Sequence, residues 1–378
     1  MPWREKNRMK LREEFVLRAL EPDANMAALC REYTISRKTG YKWLKRFREA
    51  GIVGLADLSR RPHSSPLRVS GELVLRILEL RSAHPRWGPR KIRAVLARTL
   101  EADDVPSIRT IARVLERAGM VRKQGRRRTT TEVSRPDIPE ATRPNELWTA
   151  DFKGWWRTAD GVRAEPLTIR DAHSRFVLVA ELMETTKGSA VREVFEKLFE
   201  RRGLPRAILV DNGSPFACTR SPGGLTTLSA WWVSLGIRLH RSRPGHPQDN
   251  GGHERMHLDM RFDVEDAPAD DIPAQRIALS RWQMTFNFIR PHEALDMKTP
   301  GALYRPSPRR FAGPRRCWYA PDREVRRVNN KGYIKYLGRP RYIGQALVGR
   351  TIGLRRIDED TAHILYYDMD LGTLALAS

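Results

Sequence analysis

Cysteine is scarce in this sequence. The 378 residues include three, Cys30, Cys218 and Cys317, which are odd in number and far apart. A disulfide framework needs paired cysteines and a zinc ribbon needs closely spaced ones, so neither fits. A reducing compartment does fit, and we expect the protein to reside in the cytoplasm.

Long apolar stretches are missing as well. No run reaches the roughly 18 residues that a membrane-spanning helix needs. The first residues are charged, with Arg4, Lys6, Arg8 and Lys10, and no apolar stretch follows them as it would in a signal peptide. We therefore expect no membrane segment and no export signal. The hydrophobic content of 40% is enough to bury cores, and the length favours about two to four domains.

Acidic residues are few relative to basic ones. Lys and Arg number 69 against 45 Asp and Glu, which gives a formal charge of +24. Residues 1–140 carry 32 Lys and Arg against 17 Asp and Glu, and so hold most of the excess. This charge indicates a polyanionic partner, and nucleic acid is the leading one. The weaker alternative is an arginine-rich composition that reflects codon usage alone.

The first segment, residues 1–58, is typical of a helix-turn-helix DNA-binding domain. Apolar residues recur at helical spacing, and a turn at 33–36 ends in Ser36, which can cap the next helix. That helix is basic enough to enter a major groove. Its candidate DNA contacts are Arg37, Lys38, Lys42 and Lys45.

A second helix-turn-helix-like domain is predicted for residues 70–122, after a linker rich in Pro, Ser and Arg. One of its helices begins at Pro89, so Arg90 and Lys91 are candidate DNA contacts. The alternative for both helical domains is a three-helix bundle with a structural role alone. The following segment, 123–144, lacks apolar periodicity and is predicted to be an exposed basic linker. Its candidate DNA contacts are Arg126, Arg127 and Arg128.

Strand-like and helix-like segments alternate from residue 145 to 305, which predicts an α/β core. Beyond residue 315, short strands separated by Gly, Pro and Asp turns predict a small β-barrel-like domain at 315–378. The expected fold is therefore multidomain. It has all-α helix-turn-helix units first, an α/β core in the centre and a small β-barrel-like domain last.

Three acids of the α/β core are candidate catalytic residues and metal ligands. Asp151 lies in a strand, and Asp211 follows the short apolar strand at 207–210. Glu254 begins a helix after the bendable loop at 244–252. Taken singly, Asp211 is more typical of a simple turn, because Asn and Gly follow it. Together the three carboxylates suit hard divalent cations such as Mg²⁺ or Mn²⁺, two per site.

The segments around these acids resemble the DDE transposases of bacterial insertion sequences, whose catalytic core is retroviral-integrase-like. The resemblance lies in residues 145–151, 209–216, 246–255, 286–295 and 299–300. It implies an RNase-H-like fold for roughly 145–270, and it implies that Asp151, Asp211 and Glu254 bind the metals. One departure is that 42 residues lie between Asp211 and Glu254, more than in many relatives. An insertion at 218–225 is the simplest account.

The function implied by this resemblance is transposition. The protein would bind the terminal inverted repeats of a mobile element, hydrolyse the 3′ strand at each end, and join the 3′-OH to target DNA. The expected partners are the terminal-repeat DNA, the target DNA and further copies of the chain. The copies would form a dimer or larger complex that holds the two ends of the element. The corresponding location is the bacterial cytoplasm, where the protein would associate with the nucleoid when it is bound to DNA.

Two alternative functions draw on the same residues. The stretch from His253 to His257 matches the H-E-x-x-H pattern of zinc proteases, but that reading leaves Asp151, Asp211 and the basic N-terminal segments unexplained. The other alternative is a non-catalytic DNA-binding protein or repressor derived from such an element. The presence of all three acids weighs against it.

Further basic residues flank the acids. Arg243, which follows a strand, is as typical of a solvated strand end as of a DNA contact. Arg255 and His257 are candidates to contact DNA or the metal-binding carboxylates. Arg290 and His292 are expected to fasten the following segment onto the core rather than to react.

Overall fold

The computed structural model describes residues 7–58, 69–121, 140–218, 221–243 and 246–376. Most of the predicted basic linker, including Arg126, Arg127 and Arg128, lies outside these residues. The chain divides into two compact units, Met1–Ser70 and Gly71–Ser378. The finer division of the second unit into separate domains stays a prediction. No helix within the described ranges has both the length and the apolar character that a membrane crossing requires.

The first unit is a three-helix domain. Its helices are α1 (Arg8–Ala19), α2 (Met26–Glu32) and α3 (Arg37–Ala50). The side chain of Ser36 accepts a hydrogen bond from the Thr39 amide and so begins α3 as predicted. Gly40 allows α2 and α3 to approach closely, because a side-chain carbon there would come within 2.7 Å of the Cys30 sulfur. The helix-turn-helix layout is confirmed.

The second unit begins with three more helices. They are α4 (Gly71–Ala83), α5 (Pro89–Leu96) and α6 (Ile108–Arg117). Pro89 stands in the first turn of α5, where its missing N–H costs nothing. The small core of this segment consists of buried apolar residues, namely Ile77, Trp87, Ile92, Leu96, Ile111 and Leu115.

A five-stranded sheet and two short strands form the centre of the second unit. The strands are β1 (Leu147–Phe152), β2 (Trp156–Arg157), β3 (Arg163–Ala164), β4 (Pro166–Asp171), β5 (Val177–Leu182), β6 (Ala207–Val210) and β7 (Arg238–Arg241). The sheet order is β5-β4-β1-β6-β7. Strand β1 is antiparallel to β4 and parallel to β6, and β6 is parallel to β7. This mixed arrangement is the RNase-H-like core that the resemblance implies.

Helices contribute to two apolar clusters around this sheet. One cluster includes residues of α7 (Gly188–Arg202) and α8 (Thr227–Ser234), among them Phe195 and Trp232. Another includes residues of α9 (Gly251–Met260) and α10 (Ile272–Met284), which continue into π-helical turns at Arg261–Glu265 and Thr285–Ile289. A short helix, α11 (Pro300–Leu303), follows.

The C-terminal segment is a pair of open sheets, so the predicted barrel is wrong for the described residues. Its strands are β8 (Glu324–Arg327), β9 (Tyr333–Tyr336), β10 (Arg339–Tyr342), β11 (Thr351–Arg356), β12 (Thr361–Tyr366) and β13 (Met369–Ala375). Four of them form a sheet in the order β13-β12-β11-β8, and β10 pairs with β9 separately. The physical reason is that the apolar residues of these strands share one core with Ala230 and Val233 of α8. Packing on a helix buries them without closure into a barrel.

Candidate active site

Asp151 and Asp211 lie at the same edge of the central sheet. The parallel pairing of β1 with β6 sets Thr149 opposite Leu209. Continuing that register by two residues brings Asp151 opposite Asp211. The carboxyl ends of parallel strands are where polar sites form in α/β sheets, because the chain turns away there and leaves an open crevice.

The turn after β6 holds the Asp211 side chain in place. The amide of Gly213 donates a hydrogen bond of 3.1 Å to Asp211 Oδ1. A side-chain carbon on Gly213 would lie 3.0 Å from Asp211 Oδ2, so the small residue lets the turn close tightly around the carboxylate. The turn expected from the sequence is therefore present, and it presents an acid at the sheet edge.

Glu254 is the third carboxylate, and its charge reaches Asp151. It lies in the first turn of α9, and its charge acts on Asp151 together with that of Asp211. Burial, then repulsion from Asp211 and from Glu254, raises the pKa of Asp151 to about 7, although a hydrogen bond from the Phe152 amide lowers it. Carboxylate oxygens are hard donors that suit a divalent cation, and such a cation would relieve the repulsion on Asp151.

A buried network of threonine and histidine side chains lies behind Asp151. Thr149 Oγ1 is 2.6 Å from His253 Nδ1, and Thr168 Oγ1 is 2.6 Å from His253 Nε2 and 2.7 Å from His257 Nε2. Thr168 also donates its hydroxyl proton to the Asp151 carbonyl, at 3.0 Å. Because a hydroxyl has one proton, both histidines must donate their Nε2–H to Thr168.

This assignment of protons fixes what each histidine can do. His253 accepts from Thr149 through Nδ1, so both of its ring nitrogens are occupied. His257 has an unprotonated Nδ1, 4.0 Å from Asp151 Oδ2. Burial lowers the pKa of His257 to about 3 and that of His253 well below its usual range. Both rings are neutral at physiological pH.

The H-E-x-x-H stretch therefore does not form a zinc-protease site. Ligand atoms of Asp151, His253 and His257 lie within 4.8 Å of one another, which would suit a metal if the atoms were free. The Thr149 and Thr168 hydroxyls already hold both nitrogens of His253. His253 is fully buried, so it serves to anchor α9 to the sheet.

Arg170 supports the start of α9 from the adjacent strand. Its Nη1 donates to the carbonyl oxygen of Gly252, and a side-chain carbon at Gly252 would come within 2.9 Å of that nitrogen. Arg170 is buried at 5% exposure, and burial lowers its pKa to about 10. Gly252 is thus required by the close approach of a buried guanidinium immediately before His253.

The basic residues predicted to contact DNA fall into different surroundings. Those on α3 are exposed, namely Arg37, Lys38, Lys42 and Lys45. Arg90 forms an ion pair of 3.4 Å with Glu293. Lys91 is half-buried, and burial followed by repulsion from Arg290 lowers its pKa to about 8.

The two basic residues near the carboxylates also differ. Arg243 forms a bidentate pair with Asp249, with Nε–Oδ2 and Nη2–Oδ1 distances of 3.0 and 2.9 Å. It therefore braces the loop that leads to α9. Arg255 is exposed. Arg290 forms a buried pair with Asp259 at 2.6 Å, which fits its expected fastening role.

Sequence reasoning missed Thr149, Thr168 and Arg170. Each lies on a strand, in a stretch that reads simply as alternating strand residues. A weak signal existed for Thr168 and Arg170, because they alternate with the apolar Leu167 and Ile169, and the strand that holds them is buried along its whole length. Polar residues buried in this way need partners.

Family models match most of the described chain. A helix-turn-helix domain model matches residues 11–63, and a homeodomain-like domain model matches 39–115. Two integrase core domain models match residues 141–247 and 235–300. The integrase core models span all three carboxylates and the parallel strands that carry two of them.

Two curated relatives are proteins of bacterial insertion elements. An uncharacterized 31.7 kDa protein of insertion element IS407 from Burkholderia multivorans is 23% identical over 67% of this chain and 88% of its own length. An uncharacterized 39.2 kDa protein of insertion element IS476 from Xanthomonas euvesicatoria is 24% identical over 70% of this chain and 74% of its own length.

Integrase structures are among the solved structures that resemble this chain. A simian T-cell lymphotropic virus intasome chain is 16% identical, covers 80% of this chain and all of its own, and has a TM-score of 0.36. The catalytic core domain of BIV integrase is 21% identical, covers 42% of this chain and 93% of its own, and has a TM-score of 0.32.

Proposed function

We propose that this chain, an insertion-sequence transposase with helix-turn-helix domains and an integrase-like catalytic core, cuts and joins the ends of its element by DDE chemistry. It binds the terminal inverted repeats, cleaves the 3′ strand at each end, and transfers the 3′-OH to target DNA. The observation that carries this proposal is that the charges of Asp211 and Glu254 both reach Asp151 and help to raise its pKa.

The carboxylate cluster fits two Mg²⁺ or Mn²⁺ ions, held by Asp151, Asp211 and Glu254. Such ions, when bound, stabilise the attacking and leaving oxygens of a phosphodiester during in-line displacement. The chain itself supplies rigid positions. Strand pairing fixes Asp151 relative to Asp211, while the His253 network and Arg170 fix α9 and with it Glu254.

DNA recognition is assigned to the basic residues of the helical segments and the linker. The exposed face of α3, with Arg37, Lys38, Lys42 and Lys45, would contact the terminal repeat. Further contacts are proposed at Arg126, Arg127 and Arg128 in the linker, at Arg90 and Lys91 on α5, and at Arg243 and Arg255 beside the carboxylates. Two ends must be held together for joining, which favours a dimer or larger complex.

Carboxylate substitutions test the chemistry. Asp151→Asn, Asp211→Asn and Glu254→Gln should each lower strand cleavage and joining by roughly 10³-fold or more, because each removes a metal-binding charge. Binding of end DNA should stay close to that of the natural chain. The assay uses labelled duplexes carrying the inverted repeats that flank the coding region, with Mg²⁺ or Mn²⁺.

The matched control is Asp368→Asn, which removes an exposed acid that pairs with Arg315 in the C-terminal segment. It should cleave at the unmodified rate. Comparable joining by any of the three carboxylate variants would contradict the assignment. Tight end binding without cleavage by the natural chain would instead favour the repressor alternative.

A further inference from the structure

A short hairpin follows the first catalytic strand directly. Strands β2 and β3 pair with Trp156 opposite Ala164, and the chain between Phe152 and Trp156 leads from β1 into it. Trp155 stands four residues after Asp151, so their Cα atoms are at most about 14 Å apart. The Lys153 amide donates to the Pro166 carbonyl at 3.2 Å, and its ammonium pairs with Glu265 at 2.6 Å. The base of the hairpin is therefore fixed beside the carboxylates.

Two adjacent tryptophans of this hairpin have opposite surroundings. Trp156 is 7% exposed, belongs to an apolar core and donates its indole N–H to Gln275 at 3.4 Å. Trp155 is 52% exposed. Because side chains alternate across an extended chain, one ring packs inward while the other is presented to solvent. Trp155 therefore contributes little to the core and leaves about half of its surface accessible to a partner.

Two guanidinium groups lie near the exposed indole. The Arg157 and Arg163 Cζ atoms are 5.6 and 5.0 Å from the Trp155 ring centroid. Arg157 is held by the Gly161 carbonyl at 2.6 Å, and Arg163 by Glu165 at 2.7 Å. Within the described ranges Arg157 has no acidic partner, so the patch keeps a positive charge. Both arginines are oriented by the hairpin itself and do not depend on a partner for their position.

A surface groove begins at the same hairpin. Its volume is about 590 Å³, and its lining combines Arg163 and Arg276 with Glu165, Glu184 and apolar side chains such as Met183. Grooves of this size accept small organic groups.

We propose that Trp155, flanked by Arg157 and Arg163, is a stacking platform for an unpaired base of the DNA strand next to the cleaved phosphodiester. The proposal rests on the proposed function, because it assigns DNA to the neighbouring carboxylates. An aromatic face takes any base, and arginines beside it neutralise the adjacent phosphates. The hairpin would hold open the strand end that the carboxylates must reach.

Charge favours DNA over a protein partner at this surface. The chain carries +24 overall, and two guanidinium groups lie over the ring of the exposed indole. Unstacking a base near a duplex end carries an energetic cost that stacking on an aromatic side chain can offset. A platform within a few residues of Asp151 is placed to provide that compensation.

Cleavage of labelled terminal-repeat duplexes by the full chain tests the platform. Trp155→Ala should slow cleavage of a fully paired end by roughly 10- to 100-fold, the range expected for loss of one base stack. Trp155→Phe should restore much of the rate because it keeps an aromatic face. A duplex with mismatched bases at the cleavage point should restore the rate of Trp155→Ala, because its bases are already unpaired. The matched control is Trp318→Ala, which removes a tryptophan that is 75% exposed in another part of the chain.

A second readout follows the base directly. 2-Aminopurine placed beside the cleavage point should be quenched when the natural chain binds, as stacking requires, and should stay bright with Trp155→Ala. Equal cleavage of paired ends by the natural chain and Trp155→Ala would overturn the platform and leave the transposase assignment intact. A slow variant that a mismatch does not rescue would also overturn it. Absence of cleavage by the natural chain would instead contradict the proposed function itself.

Discussion

Three histidines of the second unit are buried as neutral rings. Burial lowers the pKa values of His257 and His292 to about 3, and that of His253 well below its ordinary value. Each ring has hydrogen-bond partners, and His292 Nε2 lies 3.2 Å from the Phe286 carbonyl. Protonation of any of them would place a charge among groups that burial has withdrawn from water, which costs free energy. The unit should therefore be sensitive to acid.

The sign of this effect follows from proton binding. An unfolded histidine has a pKa near 6.5, while His292 in the fold has a pKa of about 3. Between these values the unfolded chain binds more protons than the folded one, so the stability contributed by the neutral ring is lost as pH falls below about 6.5. Between pH 7 and pH 5 one such histidine lowers the free energy of unfolding by about 2 kcal/mol.

His292→Gln isolates the contribution of one ring. Glutamine keeps an N–H donor for the Phe286 carbonyl but does not titrate, so the loss of stability from pH 7 to pH 5 should shrink by about 2 kcal/mol. Urea unfolding at both pH values measures it. His246→Gln, at an exposed position, is the matched control and should retain the full loss. An unchanged pH dependence in His292→Gln would refute a neutral buried ring.

At the residue scale the sequence revealed the acids better than their support. Asp151, Asp211 and Glu254 stand at the ends or starts of recognisable elements, so local patterns and a family resemblance were enough to select them. Their assignment as metal ligands stays a prediction. The contacts from Thr168 to His253 and His257 join positions 85 and 89 residues apart. No local pattern reports such a pairing.

At the scale of elements, the C-terminal sheet is tied to the core through α8. Tyr366 on β12 is fully buried and donates its hydroxyl to the Ala230 carbonyl at 3.2 Å. Leu225, Val233 and the strand residues share one apolar cluster. The sheet therefore completes its core with residues of the RNase-H-like segment, and the two should unfold together.

Tyr366→Phe tests this connection. Removing the hydroxyl leaves the ring packed but deletes one hydrogen bond, so the free energy of unfolding should fall by about 1 kcal/mol. Tyr342→Phe, on the half-exposed β10 tyrosine, should have little effect. Chemical unfolding of the full chain, followed by tryptophan fluorescence and by circular dichroism, gives the values. A separate early transition for the C-terminal strands would show that they form an independent domain.

Regular elements were predictable where the sequence pattern is local. The capping residue Ser36 predicted the start of α3, and the apolar run at 207–210 predicted β6. The structure has both elements at these positions. The barrel was wrong because closure depends on what a sheet face packs against, and α8 ends 90 residues before the first of these strands begins. The π-helical turns after α9 and α10 carry no signal in hydrophobic spacing. Tertiary packing decides such features.

At the scale of the whole molecule, the most distinctive property is the uneven distribution of positive charge. The formal charge of +24 is concentrated in the first 140 residues, and the exposed cations of α3 belong to that part. Lys42 also lies 4.9 Å from the Trp43 ring centroid, which restricts where its ammonium can go. Cations held on the second helix of a helix-turn-helix, as α3 is here, are suited to contact phosphates and base edges in a major groove.

Salt dependence of DNA binding measures how many phosphates the chain neutralises. The logarithm of the binding constant should fall linearly with the logarithm of salt concentration, with a slope of about −0.9 for each phosphate contacted. If Lys38 and Lys42 each neutralise one phosphate, the slope for the double variant Lys38→Gln/Lys42→Gln should be less negative by roughly 2. Fluorescence anisotropy of the full chain with terminal-repeat duplex between 50 and 200 mM salt would report it.

Two comparisons decide what α3 contributes. Lys197→Gln removes an exposed lysine on α7, which lies outside the N-terminal helices α1 to α6. This variant should leave the slope unchanged. A scrambled duplex separates phosphate contacts from base contacts, because loss of a phosphate contact weakens both duplexes alike while loss of a base contact weakens mainly the terminal repeat. If the double variant keeps both the slope and the preference for the repeat, α3 is not the DNA-reading helix, and recognition must come from the other basic segments.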